Sequence, residues 1–255
     1  SLFNDYDNYR EKKLNSDFPD IRNVAVGGNL KLSRLNAKTL LTDKAYYSKV
    51  FNIKVNDMVF IAGNVHKEEC TIVIDAFMRA KEEIPEIIMI VAPRFIEHIP
   101  YIESTLKDRG LTYVKRTSLD TSEEAARGNI ILLDTLGELA KVYSLASVAF
   151  VGGSLSYLGE MFGGHNILEP AQFGVPVIFG PYMHNFQRLA DLFLHEKIGT
   201  QVKNVTELAS TIKNLIKDKG KREFIESKVE EILKANGDAA KKTFEFLSPF
   251  LDSGN

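Results

Sequence analysis

Between Val148 and Pro181 the chain reads VAFVGGSLSYLGEMFGGHNILEPAQFGVPVIFGP, and six of its 17 glycines lie between Gly152 and Gly174. Gly152, Gly153 and Ser154 end an apolar run. Gly163 and Gly164 lead into His165 and Asn166, and Glu169 and Pro170 follow. Glycine turns at a strand end and before a short helix leave bare backbone N–H groups converging on one point, an arrangement suited to a phosphate. Asn166 is placed to cap the helix. Glu169, a carboxylate in a segment that otherwise reads as buried, needs partners, and the two hydroxyls of a ribose match it as a bidentate pair. The plain alternatives are ordinary turn glycines and a salt-bridged or helix-start glutamate.

Other stretches carry small or polar residues of the same kind. Asn64 stands in Gly63-Asn64-Val65-His66. Arg94 follows Pro93 directly after an apolar run, where a guanidinium can fork onto a phosphate or a carboxylate; a solvated loop arginine is the alternative. Asp134-Thr135-Leu136-Gly137-Glu138 begins a helix whose N–H groups suit a second part of a nucleotide. His165 reads equally as a hydrogen-bond donor, a general acid or a packed histidine. His66, His98 and His195 read as surface or turn residues. No metal-ligand cluster forms, since the histidine after His165 is His184. GxGxxG, GxxxxGK[ST] and GxSxG are all absent, so the common nucleotide fingerprints do not apply and Ser154 is a poor nucleophile.

What would hold these loops together is a succession of short apolar runs and amphipathic stretches. Strands are expected at Met58 to Ala62, Ile87 to Ala92, Leu111 to Val114, Ile130 to Leu133, Val148 to Val151 and Val175 to Phe179, with a seventh starting at Gln201-Val202. Helices are expected over Lys67 to Ile84, Ile96 to Arg109 and Leu136 to Ala146, with a linker helix between Leu32 and Phe51. Near-continuous apolar strands alternating with amphipathic helices imply an α/β fold, a doubly wound, Rossmann-like parallel sheet covered on both faces. In such a sheet ligands bind beyond the carboxyl ends of the strands, so the five loops share one edge. The boundaries read as 1–51 for the tail of a preceding domain plus a linker, including a short strand at Val24-Ala25-Val26, 52–235 for the ligand-binding domain, and 236–255 for a strongly apolar last helix that docks on something.

Composition excludes several classes. With 44% apolar residues in 255 the chain can bury a sizeable core, and a net charge of -2 gives no global attraction to nucleic acid or anionic membrane. Cys70 stands alone, which rules out an internal disulfide and favours a reducing compartment; it reads as a small helix-face residue. No apolar run approaches the ~20 residues of a membrane helix, so the chain is expected to be soluble. It begins with Ser, which suggests a piece of a longer protein.

Taken in order, GGNLK near Lys31, GNVH around Asn64, VAPR at Arg94, LLDTLGEL from Leu132, VAFVGGS and GGHNILEPAQFGVPVIFGP resemble the carboxy-terminal half of bacterial 3-deoxy-D-manno-octulosonic acid (Kdo) transferases, from about Val24 to about Phe193. The resemblance implies a GT-B glycosyltransferase whose carboxy-terminal nucleotide-sugar-binding domain holds CMP-Kdo, while an amino-terminal domain holds the lipid A precursor. It implies an inverting reaction with no cofactor and no metal, with the donor held by Asn64, Pro93, Arg94, Thr135 to Glu138, Gly152 to Ser154, Gly163 to Asn166 and Glu169. The catalytic base and the membrane-contacting surface would belong to the missing amino-terminal domain, on the cytoplasmic side of the inner membrane, so this piece alone is expected to be inactive. Leu155 to Phe162 is longer than the family's loop. A UDP-sugar 2-epimerase, another GT-B transferase and a non-catalytic nucleotide-binding module are the competing readings.

Overall fold

The computed structural model describes residues 37–120, 129–156, 159–218 and 220–236. The chain divides into two compact units, Asn36–Val229 and Ser1–Leu35 with Glu230–Asn255. The expected strand at Val24 and the apolar helix after residue 236 lie outside the described residues.

Within Asn36–Val229 the elements in chain order are α1 (Ala37–Val50), β1 (Val59–Val65), α2 (Lys67–Glu83), β2 (Ile88–Pro93), α3 (Ile99–Asp108), β3 (Val114–Lys115), β4 (Ile130–Leu132), α4 (Leu139–Val142), β5 (Val148–Val151), α5 (Gly159–Phe162), α6 (Leu168–Ala171), β6 (Val177–Phe179), α7 (Gln187–His195), β7 (Gly199–Gln201) and α8 (Val205–Ile216). A last helix, α9, spans Gly220–Asn236. The seven strands form one parallel sheet in the order β3-β4-β2-β1-β5-β6-β7. The doubly wound expectation is borne out.

Alternation along β1 explains both layers. Phe60 and Ala62 join Phe77, Ile102, Leu106 and Ile212 beneath α2, α3 and α8, while Val59 and Ile61 join Tyr47, Phe51, Val142 and Tyr143 on the face covered by α1 and α4. A strand buried on both faces has no polar side to show, which is why it reads as a continuous apolar run. β3 is shorter and later than expected, two half-buried residues at the sheet edge. β7 ends at Gln201 where a strand was expected to begin.

The order of strands reverses between β1 and β5, which are neighbours in the sheet. At such a switch point the loops leaving the two strands turn to opposite faces and open a crevice. The loops concerned are Gly63 to His66 and Gly152 to Ser154.

Candidate functional site

β1 does not simply stop at the crevice. Its register against β2 shifts between Ala62 and Val65, and Asn64 takes a left-handed φ of 55°. Asparagine tolerates that conformation better than most residues, so it can carry the bulge that aims the next residues. Gly63 is needed for a different reason: a Cβ there would run into the hydroxyl of Tyr143, which is fully buried below it.

The Gly152-Gly153-Ser154 loop is held from within. Glu69, in the first turn of α2 and fully buried, accepts N–H bonds from Gly153 (2.7 Å), Ser154 (2.8 Å), Leu155 (2.7 Å) and His66 (3.2 Å). Burial pushes its pKa up, and the four N–H donors pull against that. The Gly152 N–H goes to the Gly63 carbonyl and the Gly164 N–H to the Gly153 carbonyl. The expectation that the amides of Gly152, Gly153, Ser154 and Gly164 stand bare for a phosphate is therefore corrected. A buried backbone donor has to find a partner, and Glu69 supplies it. The Ser154 hydroxyl is engaged as well, donating to the Val151 carbonyl and accepting from the Gly180 N–H.

Next to this clamp lies a pair of histidines. His66 is 3% exposed and its Nε2 is 2.8 Å from Nε2 of half-buried His165. The two rings are nearly parallel and meet edge to edge through those nitrogens, Phe162 stacks on His66 at 3.8 Å between centroids, and Phe95 meets His66 edge-on. The reading of His66 as a surface or turn residue is thus overturned by Phe95, Phe162 and His165 packed around it. Burial pushes both imidazoles down to about 4, helped by the charge of Arg94. Both rings are neutral near pH 7, so His165 is a neutral donor or acceptor rather than a charged acid.

Exposed Arg94 sits beside this pair and beside Glu169, and its charge acts on all three. Glu169 is half-buried in the first turn of α6 and receives one long hydrogen bond, from the Asn166 side chain at 3.4 Å. Burial raises its pKa, and Asn166 and Arg94 work the other way. The Asn166 side-chain oxygen accepts from Leu168 N–H at 3.2 Å, but the N-cap position itself falls to Ile167, so the expected cap sits one residue outside the helix start. The helix that follows is four residues long, too short to add much of a dipole. Arg94, His165, Asn166 and Glu169 are therefore the polar groups that converge with capacity to spare.

The Thr135 to Glu138 loop, at the end of β4, is tied differently. Glu138 accepts from Tyr47 Oη (3.2 Å), from Arg116 (3.2 Å) and from the Thr135 hydroxyl. Its carboxylate fixes the loop against α1 instead of facing a ligand. Leu136 is 79% exposed and Gly137 has a φ of 79°, so the loop tip stands open. Pro93 closes β2 half-buried. Among the described residues no group of three or more His, Cys, Asp or Glu could hold a metal ion, and no helix is long and apolar enough to cross a membrane. Cys70 is buried in α2, where burial pushes its thiol up to about 11.

Comparisons with known proteins bear on this site. No family model matches the chain. A bifunctional glycosyltransferase/methyltransferase of Fusobacterium nucleatum is 39% identical over 204 residues, 80% of this chain and 30% of that protein. A 3-deoxy-D-manno-octulosonic acid transferase of Aquifex aeolicus is 35% identical over 195 residues, 76% of this chain and 51% of that protein. The chain thus spans about a third to a half of the length of these relatives. Among solved structures, the C-terminal CMP-Kdo binding domain of WaaA from Acinetobacter baumannii has a TM-score of 0.67 at 26% identity, over 77% of this chain and 98% of that one. Anabaena Alr3699/HepE in complex with UDP and glucose, 16% identical with a TM-score of 0.57 over 90% of this chain and 56% of that one, shares the fold. The sheet is the Rossmann-like parallel sheet of GT-B glycosyltransferase domains, and the chain is a relative of the bacterial 3-deoxy-D-manno-octulosonic acid transferases.

Proposed function

We propose that this chain is the donor-binding half of a glycosyltransferase that moves Kdo from CMP-Kdo to a lipid A precursor in lipopolysaccharide synthesis. The observation that carries the reading is Glu169, a half-buried carboxylate with one 3.4 Å hydrogen bond, placed with Arg94 and His165 at the switch point of the sheet. The relation to a CMP-Kdo binding domain supports the choice of nucleotide. Glu169 takes the ribose hydroxyls, Arg94, His165 and Asn166 face the donor's phosphate or carboxylate, and the open Thr135 to Gly137 loop tip receives another part of the nucleotide. Asn64, Pro93, Glu138 and Gly152 to Ser154 shape the loops.

In the transfer the bond between the sugar's anomeric carbon and the phosphate oxygen breaks, and the phosphate keeps the electron pair. Donors fixed around that oxygen stabilise the leaving group as charge develops. The acceptor hydroxyl must lose a proton. With His66 and His165 neutral and joined to each other, we assign that base, the lipid acceptor site and the contact with the cytoplasmic face of the inner membrane to an amino-terminal domain of the full protein. No cofactor or metal enters this scheme.

Calorimetric titration separates the readings. CMP should bind more tightly than UDP, whereas a preference for UDP favours a UDP-sugar 2-epimerase or another GT-B transferase. Glu169→Ala should weaken CMP by about 1–3 kcal/mol, the range for a hydrogen bond to a charged group. Equal affinity in that variant ends the ribose assignment.

A further inference from the structure

Two imidazole nitrogens 2.8 Å apart cannot both be protonated or both be bare without losing the hydrogen bond, so the His66–His165 contact requires one donor and one acceptor. Which is which follows from the far side of His66. Its Nδ1 is buried and makes no full hydrogen bond, and the group facing it in the capping box at the start of α2 is the Glu69 N–H, itself a donor. A proton on Nδ1 would be a buried orphan donor pointed at another donor, whereas a bare lone pair there costs less. His66 therefore carries its proton on Nε2 and donates it to His165 Nε2. That leaves the single proton of neutral His165 on Nδ1, a nitrogen with no hydrogen bond among the described residues.

We propose that His66 is a positioning residue that locks His165 in the Nδ1–H tautomer and holds that N–H ready as a neutral donor for an anionic oxygen of the bound ligand. The ligand's identity rests on the donor-binding reading above; the tautomer does not. The lock has two parts. Phe162 and Phe95 fix the plane of His66, and the Nε2–Nε2 bond transmits that plane to His165. The groups that face the pair are Arg94 and His98, which disfavour a second proton, and Glu68, which favours one on His66. Burial is the larger influence and keeps both rings neutral, down to about 4. Protonating either acceptor nitrogen would set two N–H groups against each other.

The test uses the full chain labelled with nitrogen-15 at histidine, with long-range proton–nitrogen correlations read at pH 7. His66→Gln and His165→Gln supply the assignments. The expected pattern is a protonated, pyrrole-type Nδ1 and a bare, pyridine-type Nε2 for His165, and the reverse for His66. A protonated Nε2 on His165, or fast averaging of both tautomers, overturns the proposal. Calorimetry with CMP provides the functional arm. His66→Phe, which keeps the ring stack but has no donor, should bind CMP roughly ten-fold more weakly, the loss expected for about one hydrogen bond. His66→Gln, whose amide nitrogen lies close to the place of Nε2, should stay within about two-fold of wild type. A His66→Phe variant that binds CMP like the wild type refutes the role. Should the wild-type chain fail to bind CMP at all, the nucleotide reading falls while the nitrogen shifts still decide the tautomer, and they do so whether or not His66→Phe folds.

Discussion

Two glutamates stand in the first turn of a helix on the same sheet edge, Glu69 in α2 and Glu169 in α6, and the protein uses them in opposite ways. Glu69 is sealed from solvent with four backbone N–H donors at 2.7–3.2 Å, about as many as a carboxylate has lone-pair positions. Glu169 is half-buried with one side-chain donor at 3.4 Å. Neither residue type nor helix position separates a structural carboxylate from a ligand-binding one here. The number of internal donors does. A carboxylate whose positions are filled holds loops together, and one whose positions are open next to an arginine is ready for hydroxyls from outside.

The sharpest way to break this contrast is to remove the saturated member. Glu69→Ala leaves the N–H groups of Gly153, Ser154, Leu155 and His66 without their acceptor, and each orphaned buried donor costs about 1–3 kcal/mol. Even with partial relaxation the loss should exceed about 3 kcal/mol in urea unfolding, near the range for breaking a buried charged network. A loss below about 1 kcal/mol would show that Glu69 is not the clamp.

A smaller loss is expected one loop away. Gly63→Ala pushes a methyl into the Tyr143 hydroxyl and should cost about 1–3 kcal/mol, as overpacking does. Adding Tyr143→Phe should recover part of that loss, and a double variant no more stable than Gly63→Ala alone would place the clash elsewhere.

The histidine pair connects the two glutamates, since the His66 N–H bonds Glu69 while His165 lies in the Glu169 turn. Both imidazoles titrate near 4 in the folded chain, below the ordinary histidine value. The unfolded chain therefore takes up protons first, and the pair's contribution to stability, complete above about pH 6.5, is lost as pH falls toward 4. Glu69 and Glu169, whose pKa values are raised, act in the reverse sense, so the quantity to measure is the difference between wild type and His66→Phe. That difference should shrink between pH 6.5 and 4. A difference that is flat over this range would mean the rings are not held neutral.

The smallest effect is expected from Tyr143→Phe. The hydroxyl is buried without a hydrogen-bond partner among the described residues, and the charge of Glu169 reaches it. Removing an unpaired buried hydroxyl should leave the melting temperature unchanged or slightly higher. A clear loss would reveal a second internal donor for Glu169 and blur the contrast with Glu69.

How much of this can be read from the chain differs between the scaffold and the site. β5 is readable to the residue, because Val148 to Val151 is buried on both faces and bounded by glycine. β3 is not, since an edge strand of two half-buried residues carries no strong pattern. The reading stops short of α7 and α8, although Leu208, Ile212 and Ile216 repeat at helical spacing on the core face of α8. The meeting of loops at one edge follows from the parallel sheet alone. What fills each loop's hydrogen bonds does not, because the partners are remote: Glu69 reaches residues 84 to 86 positions later, and His66 meets a histidine 99 positions later. In HKEEC either of the two glutamates looks like any solvated helix start. The one local sign is the place of Glu69 in the first turn after a strand that carries Gly63-Asn64 near its end.

The claim at the centre is that Glu169, and not Glu69, is the carboxylate left open for a ligand, and titrating CMP into the wild-type chain and Glu169→Gln at pH 7, with both melting temperatures recorded, tests it most directly. The account predicts CMP binding about ten-fold weaker in Glu169→Gln, the loss of about 1.4 kcal/mol from charge-assisted bonds, with the melting temperature of the unliganded chain unchanged. Equal CMP affinity in the two proteins, or a variant that melts well below the wild type, would contradict it.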